Sequence, residues 1–335
     1  MSAKGVTFIP RETFPNYRIP RSYFLGHHAK TISRMRSMIR HVDLIFEIRD
    51  ARAPFTTRNP VFDDIIALRS KVVVYTKTDM SAIPESKFAE WHKGEEFCLL
   101  NARNPRSSMA LLGLAEKHAW AKQREQSSEV DITADTGLTT MIMGMPNVGK
   151  STLLNSLRVS GTGNETKAAQ TGAMAGITRA IPTLVTISKE PKIMLYDTPG
   201  ISIPRAMDQN TMLILTLLGC TKTSMVDAQI QADFLLYHLN RIDPKLYNAY
   251  SDPTNDIEEF LMSYCKRRRM RSRGGYPDFE GASLQWVENW RTGREGKIAY
   301  DDWQDPGIYE KWQDQTRLRQ RRDVSRPNIK NMKIV

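Results

Sequence analysis

The sequence predicts an α/β protein with a mostly parallel six-stranded sheet, followed by a smaller, mainly helical region. Six apolar runs typical of buried strands alternate with helical patterns, at residues 44–48, 72–75, 97–100, 138–143, 183–187 and 192–196. Strands that alternate with helices favour a parallel sheet covered by helices on both faces. After residue 203 no strand-like pattern returns, and from about residue 207 the patterns are helical with basic patches.

The helices between these strands follow from apolar spacing and from prolines at helix starts. Apolar residues at positions 32, 35, 39 and 42 predict an amphipathic first helix whose other face is basic. Pro60 and Pro84 begin the next two helical patterns, which end at residues 68 and 92. A long helix is expected over residues 107–124, and the polar stretch 126–137 is expected to be a linker.

Length and composition suggest two domains and a polyanionic partner. The 335 residues are enough for two hydrophobic cores, and the net charge of +11 favours nucleic acid over a membrane surface. The most apolar stretch, 211–220, is about half of the roughly 20 residues that a membrane-spanning helix needs, so it predicts a buried helix. Three widely separated cysteines argue against a disulfide framework or a zinc site and fit a reducing compartment.

The pattern divides the chain into residues 1–22, 23–206 and 207–335. The first segment carries Lys4, Arg11, Arg18 and Arg21 against the single acid Glu12. This acid-poor composition is that of an organellar transit segment, but a plain basic arm fits it equally well. Residues 23–206 hold all six strands, and residues 207–335 form the helical, basic part.

A phosphate-binding loop lies in the middle of the chain, in Gly144-Met-Pro-Asn-Val-Gly-Lys-Ser151. It follows the strand at 138–143 and leads into a helical pattern, which is the context that the Gly-x4-Gly-Lys-Ser motif requires. We expect Lys150 to reach the β- and γ-phosphates of a nucleotide and the hydroxyl of Ser151 to bind Mg²⁺. The nucleotide-binding residues expected here are Asn147, Val148, Gly149, Lys150, Ser151 and Thr152.

Two later segments complete a site for a nucleotide with Mg²⁺. The strand at 192–196 ends in Asp197-Thr-Pro-Gly200, where the carboxylate can hold Mg²⁺ and the glycine N–H can approach a γ-phosphate. Between the loop and this strand, Gly172-Ala-Met-Ala-Gly-Ile-Thr178 is rich in glycine and alanine. Thr178 is the natural second hydroxyl ligand for Mg²⁺, on a segment that can become ordered when the γ-phosphate is present.

Base recognition is predicted upstream of the phosphate loop. Thr76-Lys-Thr-Asp79 is similar to the guanine-reading Asn-Lys-x-Asp motif of small GTPases, with Thr76, Lys77, Thr78 and Asp79 as the binding residues. The Asp79 carboxylate would accept hydrogen bonds from two guanine donors that adenine lacks, which favours GTP over ATP. Thr76 replaces the usual Asn, so we expect the tie from this motif to the phosphate loop to be lost, and an ATPase remains the alternative. Asn101-Ala102 resembles the loop that contacts guanine O6 through a backbone N–H.

The order of these motifs identifies the family. Base recognition comes before the phosphate loop, so the chain resembles a circularly permuted Ras-like GTPase. Within that class it is similar to the YlqF/RbgA-type ribosome-assembly GTPases, and its basic N-terminus points to a mitochondrial branch. The stretches that carry this similarity are Phe24-Leu-Gly-His-His-Ala-Lys30, Asp50-Ala-Arg-Ala-Pro54, Arg58-Asn-Pro60, Pro146-Asn-Val-Gly-Lys-Ser151, Gly274-Gly-Tyr276 and Trp290-Arg-Thr-Gly-Arg294. Leu25 departs from the Pro that the family has before Gly-His.

The resemblance implies a GTP-hydrolysing factor that binds the immature mitochondrial large ribosomal subunit and promotes or checks its late maturation. Its expected partners are rRNA, ribosomal proteins and other assembly factors. Its expected location is the mitochondrial matrix, with peripheral association to the inner membrane left open. A rival from another class is a nucleotide-dependent switch for a protein or membrane partner, without an RNA role.

The resemblance also implies how the attacking water molecule would be activated. Ile201 stands where Ras-like enzymes have a water-orienting Gln, and its side chain cannot hydrogen-bond. The family offers His27 as the catalytic replacement, since an imidazole with a pKa of about 6.5 is largely neutral at cellular pH. His28 is expected to be structural. Asn147 matches a K⁺ ligand of potassium-stimulated GTPases, so slow hydrolysis that K⁺ and the ribosomal particle stimulate is expected.

The helical part carries the expected RNA contacts. The densest basic run holds Lys266, Arg267, Arg268, Arg269, Arg271 and Arg273. Such a run can bind phosphates without sequence preference, although many charge runs are only solvated faces. Trp286 and Trp290 lie four residues apart on a predicted helix, a spacing that favours core residues over base-stacking platforms.

Overall fold

The centre of the protein is a six-stranded sheet. The computed structural model describes residues 8–22, 26–67, 69–127, 137–164, 183–206, 208–310 and 312. The strands are β1 (Leu44–Asp50), β2 (Ser70–Thr76), β3 (Phe97–Leu99), β4 (Leu138–Gly144), β5 (Thr183–Lys189) and β6 (Lys192–Asp197). Their order is β3-β2-β1-β4-β6-β5, and every neighbouring pair is parallel except β5 with β6. The predicted α/β class with a mostly parallel sheet is confirmed.

Helices cover the sheet and form a separate layer beyond it. In the described residues they are α1 (Gly26–Met38), α2 (Asp63–Ile66), α3 (Glu85–Trp91), α4 (Pro105–Ser127), α5 (Lys150–Thr162), α6 (Gln209–Leu217), α7 (Ala228–Ile242), α8 (Ile257–Arg268) and α9 (Phe279–Thr292). The helix expected over 59–68 is shorter than predicted, because a 3-10 turn (Pro60–Phe62) precedes α2. No helix among the described residues has the length and apolar character needed to cross a membrane.

Both faces of the sheet are buried, as the continuous apolar character of the strands requires. In β1, Leu44, Phe46 and Ile48 are fully buried in the cluster that includes α4 and α5. Ile45 lies in the opposite cluster, with α1 and α2. This alternation follows from the period of two along a strand. The first cluster continues from the sheet into α6–α9, so one apolar core joins the two parts of the protein.

Residues 208–300 form a helical lobe whose helix starts are set by aspartates. The side chains of Asp208, Asp227, Asp256 and Asp278 each accept a backbone N–H in the first turn of α6, α7, α8 and α9. Such caps satisfy donors that the helix itself leaves unpaired. Trp286 and Trp290 are 0% and 1% exposed, which confirms that they are core residues of the lobe.

The predicted basic arm lies across this lobe as an extended strap, residues 8–22. Phe14 packs edge-on against Phe234, with ring centroids 5.0 Å apart. The Arg11 guanidinium donates to the Asp233 carboxylate, which is 6% exposed. The amide N–H of Tyr17 donates to Gln209 Oε1 at 2.6 Å. These contacts fasten the strap to α6 and α7 before the chain reaches α1.

The segment after α9 returns to the sheet. The Ile298 N–H donates to the Met80 carbonyl at 3.0 Å, and the Tyr300 N–H donates to the Arg52 carbonyl at 2.8 Å. The Asp301 carboxylate then accepts the Phe55 N–H at 2.7 Å. The C-terminal end of the lobe is therefore attached to loops at the carboxyl edge of β1 and β2, where the predicted site lies.

Candidate active site

The phosphate loop connects β4 to α5 and ends in a backbone conformation that favours glycine. Gly149, directly before α5, has φ +101°. Lys150, in the first turn, is 6% exposed, and its ammonium group donates to the Met145 carbonyl at 2.7 Å. Burial lowers the pKa of Lys150 to about 8, although the nearby Asp197 opposes the shift. A buried cation and the positive end of α5 together make this loop a receptor for an anion.

Asp197 lies at the end of β6 and faces the same loop. It is 6% exposed, and its Oδ1 is buried without a hydrogen-bond donor in the described residues. Burial raises the pKa of Asp197, and Lys150 lowers it. A buried carboxylate oxygen without a donor is a ready ligand for Mg²⁺, so this residue fits the metal that the sequence implies.

Gly200 approaches the phosphate loop so closely that no side chain would fit. A Cβ at this position would lie 2.7 Å from the Pro146 Cα and 2.9 Å from the Lys150 ammonium nitrogen. The backbone of the Asp-x-x-Gly segment therefore lies directly against the loop. The predicted γ-phosphate contact of Gly200 requires this proximity.

The base-recognition motif is joined to the phosphate loop through Thr76, contrary to the sequence expectation. Thr76 is fully buried, and its hydroxyl donates to the carbonyl of Val148. The expectation that the missing Asn amide removes this tie was wrong, because the shorter hydroxyl reaches the loop's backbone. Lys77 adds a second link, since its ammonium group donates to the Asn147 carbonyl at 2.7 Å.

The other base-recognition residues lie at the carboxyl ends of β2 and β3. Thr78 and Asp79 belong to the 3-10 turn after Lys77, and the side chain of Asp79 is exposed. The Asn101 N–H is held by the Ser107 hydroxyl at 2.9 Å, and Ala102 is buried. The predicted guanine contacts therefore lie at the same edge of the sheet as the phosphate loop.

The sequence predicts no role for Asp50, but its carboxylate binds two cations at the carboxyl edge of the sheet. Its carboxylate is fully buried and accepts from Arg52 Nη2 and from the Lys77 ammonium group, both at 2.8 Å. These two cations hold the pKa of Asp50 well below its usual range against the opposing effect of burial. The same Arg52 donates to the Arg291 carbonyl at the end of α9, at 2.8 Å. Asp50-Ala-Arg52 therefore joins the base-recognition lysine to the helical lobe.

A further hydrogen bond connects the lobe to the loop, because the side-chain amide of Asn147 donates to the Gly219 carbonyl at 2.7 Å. Within the lobe, the Arg291 guanidinium donates to the Leu217 carbonyl at 2.7 Å, where α6 ends. Asn147, the expected K⁺ ligand, is thus a phosphate-loop residue that contacts the lobe, with φ +58°.

Ile201 is packed inside the protein next to α1. It is 0% exposed and belongs to the cluster of Ile32 and Met35, which lie on the buried face of α1. Its carbonyl accepts from the side-chain amide of Asn59 at 2.8 Å, which assigns a role to the Arg58-Asn-Pro60 stretch. His28 is 4% exposed on α1. The side chain of His27, at the start of the same helix, lies outside the description, as do Thr178 and Leu25.

The chain is similar to known GTPases over most of its length. "Mitochondrial GTPase 1" of Schizosaccharomyces pombe is 33% identical to it over 310 residues, which cover 88% of this chain and 94% of that protein. The chain belongs to the mitochondrial GTPase 1 family. "Mitochondrial ribosome-associated GTPase 1" of Mus musculus is 31% identical, covering 87% of this chain and 93% of that protein. A family model described as "50S ribosome-binding GTPase" matches residues 139–270.

The fold is also that of solved structures of the permuted class. The GNP-bound structure of YlqF from T. maritima aligns with a TM-score of 0.54 and 20% identity, covering 82% of this chain and 99% of that one. Its GDP-bound structure has the same TM-score. The predicted class, a circularly permuted GTPase with a helical C-terminal part, is confirmed for this member of the mitochondrial GTPase 1 family.

The basic run of this family member lies at the end of α8 and in the turn that follows. Lys266, Arg267, Arg269, Arg271 and Arg273 are exposed. Arg268 is exposed as well, but its guanidinium donates to the Tyr250 hydroxyl at 2.7 Å and lies 3.6 Å from the Glu295 carboxylate.

Proposed function

We propose that this chain is a GTP-hydrolysing assembly factor that binds the immature mitochondrial large ribosomal subunit and promotes or checks its late maturation. One observation carries the proposal. The base-recognition lysine is joined through Asp50 and Arg52 to a lobe that exposes a basic surface. A nucleotide site attached in this way to a phosphate-binding surface can make RNA binding depend on the nucleotide. The name of the Mus musculus relative supports a ribosomal partner.

Hydrolysis is assigned to residues around the phosphate loop. Lys150 holds the β- and γ-phosphates, while Ser151, Thr178 and Asp197 hold Mg²⁺. When bound, the ion neutralises charge that develops on the phosphate oxygens. His27 orients the attacking water, since Ile201 is buried and apolar. Asn147 binds K⁺ from its position beside the lobe.

The K⁺ assignment is tested by turnover in K⁺ and in Na⁺, each with and without large-subunit particles. Faster turnover in K⁺, and a further rise on the particle, would support it. Identical rates in all four conditions would overturn it. GTP specificity is tested separately by competition with ATP, with Asp79→Asn as the variant that should lose the preference for guanine.

The nucleotide state sets the docking of the lobe. Gly200 lies against the loop, and the chain after it leads into α6, so a movement of this segment towards the γ-phosphate reaches the lobe directly. Hydrogen exchange compares the lobe in GTP- and GDP-bound protein. Equal protection of α6 and α9 in both states would overturn the coupling.

Binding to the particle is tested by co-sedimentation with mitochondrial large-subunit particles over a range of salt concentrations. The proposal expects binding with a GTP analogue that weakens steeply as salt rises. Retained binding to a soluble protein or to vesicles, with no binding to particles, would favour a switch without an RNA role. The proposed location is the mitochondrial matrix, and fractionation of mitochondria with a salt wash tests whether the protein is also peripheral on the inner membrane.

A further inference from the structure

The turn after α8 carries an aromatic side chain that nothing in the lobe covers. Tyr276 is 76% exposed, and within the described part of the chain it makes no ring contact. The tyrosines near it behave differently. Tyr264 is fully buried, and Tyr250 bonds to Glu295. Among the described residues of the lobe, Tyr276 is more exposed than the other large apolar side chains, Ile242, Met262 and Leu284, which are 48–50% exposed. One exposed ring does not by itself mark a binding site, so its assignment depends on how the ring is held and on what surrounds it.

The backbone holds this tyrosine in a defined place. The chain reverses between Arg271 and Pro277, which form an isolated antiparallel bridge. The Ser272 N–H donates to the Tyr276 carbonyl at 2.9 Å, and the Ser272 hydroxyl donates to the same oxygen at 3.2 Å. Gly274 has φ +124°, and a Cβ there would lie 3.6 Å from the Tyr276 ring. The ring therefore rests along a glycine backbone, held by a closed turn.

The surroundings of the ring are strongly basic. Arg271 and Arg273 lie in the same turn, and Lys266, Arg267 and Arg269 precede it at the end of α8, all exposed. Asp278, the acid closest to Tyr276 in the sequence, caps α9, because its carboxylate accepts the Gly281 N–H at 2.9 Å. A flat apolar ring among free cations matches a nucleic acid base beside its phosphates better than it matches a lipid or a protein surface.

We propose that Tyr276 is a stacking platform for an unpaired RNA base, with Arg271 and Arg273 binding the phosphates on either side. This inference rests on the proposed ribosomal function and deepens it, because it states that the lobe recognises a single-stranded or bulged element and not only a duplex. A base in a continuous duplex is stacked on its neighbours and cannot lie on the ring. The platform is sequence-tolerant, since every base offers a π face.

The test measures binding of two labelled RNAs by fluorescence anisotropy at one salt concentration. One RNA is a stem with a loop of unpaired adenosines, and the other is the same stem as a continuous duplex. The wild-type chain is expected to prefer the loop RNA. Tyr276→Ala should weaken binding to the loop RNA by about 5- to 150-fold, the range that stacking of one base supplies, and leave binding to the duplex unchanged. Tyr276→Phe should bind both RNAs as the wild type does.

Two matched variants separate stacking from charge. Trp120→Ala removes another exposed aromatic residue, 45% exposed on α4 of the GTPase part, and should change neither affinity. Arg271→Ala should weaken binding to both RNAs and reduce the slope of log affinity against log salt by about 0.7–0.9.

The results separate failure of the platform from failure of the proposed function. The platform is overturned if Tyr276→Ala binds the loop RNA like the wild type, if it loses affinity for both RNAs equally, or if Tyr276→Phe is as weak as Tyr276→Ala. Loss of particle binding by Tyr276→Ala with unchanged binding to both RNAs would assign the ring to a protein partner instead. If the wild-type chain binds neither RNA nor particles, the proposed ribosomal function and the platform both fail.

Discussion

Replacing Thr76 with valine removes one hydroxyl from the junction of the base-recognition motif and the phosphate loop. Thr76 and Val148 are both 0% exposed, so the Val148 carbonyl would lose its donor in a place that water does not reach. An unpaired buried polar group costs about 1–3 kcal/mol. We expect the free energy of unfolding of the nucleotide-free protein to fall by about this amount, since valine keeps the shape of threonine.

The same change should weaken nucleotide binding, because the hydroxyl holds the loop where its N–H groups face the phosphates. If the loop is released, binding must restore it, and about 1.4 kcal/mol corresponds to a tenfold change in affinity. The cost of about 1–3 kcal/mol corresponds to a rise in the Kd for GTP of about 5- to 150-fold in Thr76→Val, if binding has to restore the loop fully. Thr76→Ser keeps the hydroxyl and is the matched control. Calorimetric titration with GTP measures the effect, and a Thr76→Val variant that binds like the wild type, or a Thr76→Ser variant as weak as valine, would refute the reasoning.

Three other perturbations have defined outcomes. Burial lowers the pKa of Lys150 to about 8, so part of the protein has a neutral Lys150 at that pH and must take up a proton when it binds GTP. The affinity for GTP should therefore fall as pH rises above about 8. An affinity that is flat between pH 7 and pH 9 would contradict this. Asp50→Asn should lower the free energy of unfolding in urea by about 3–5 kcal/mol, because the buried Arg52 and the partly buried Lys77 lose their partner. The low pKa of Asp50 stabilises the wild type above about pH 4, and this contribution disappears as pH falls, so the Asn variant should lose less stability in acid. Arg11→Ala should lower the free energy of unfolding by about 1–3 kcal/mol, because it leaves the Asp233 carboxylate unpaired. Arg18 is exposed, so Arg18→Ala should leave the free energy of unfolding in urea unchanged.

The sheet and the phosphate loop could be predicted from the sequence because their signals are local. Strand periodicity, the glycines at 144 and 149 and the position of Lys150 are all contained within short stretches. The order of the motifs along the chain indicated the permutation, because this inference needs no knowledge of which residues are close in space. Trp286 and Trp290 were correctly expected in the core from their spacing alone.

The long-range contacts around the site could not be predicted, because they join residues far apart in the sequence. Arg52 meets the Arg291 carbonyl across 239 positions, and Thr76 meets Val148 across 72. The sequence contained Asp50-Ala-Arg as a motif, but nothing in it says which carbonyl the arginine reaches. The packing of the strap on the lobe was unexpected for the same reason. Its basic composition does not indicate that Phe14 contacts α7, which is far from it in the sequence.

Stimulated hydrolysis on the ribosomal particle tests the central claim most directly. GTP turnover is measured in K⁺ for the wild type and for His27→Ala, each with and without mitochondrial large-subunit particles, together with the Kd for GTP. We predict that the particles raise the turnover of the wild type only, while both proteins bind GTP equally well. Turnover of the wild type that the particles leave unchanged, or that they raise equally in His27→Ala, would contradict the account.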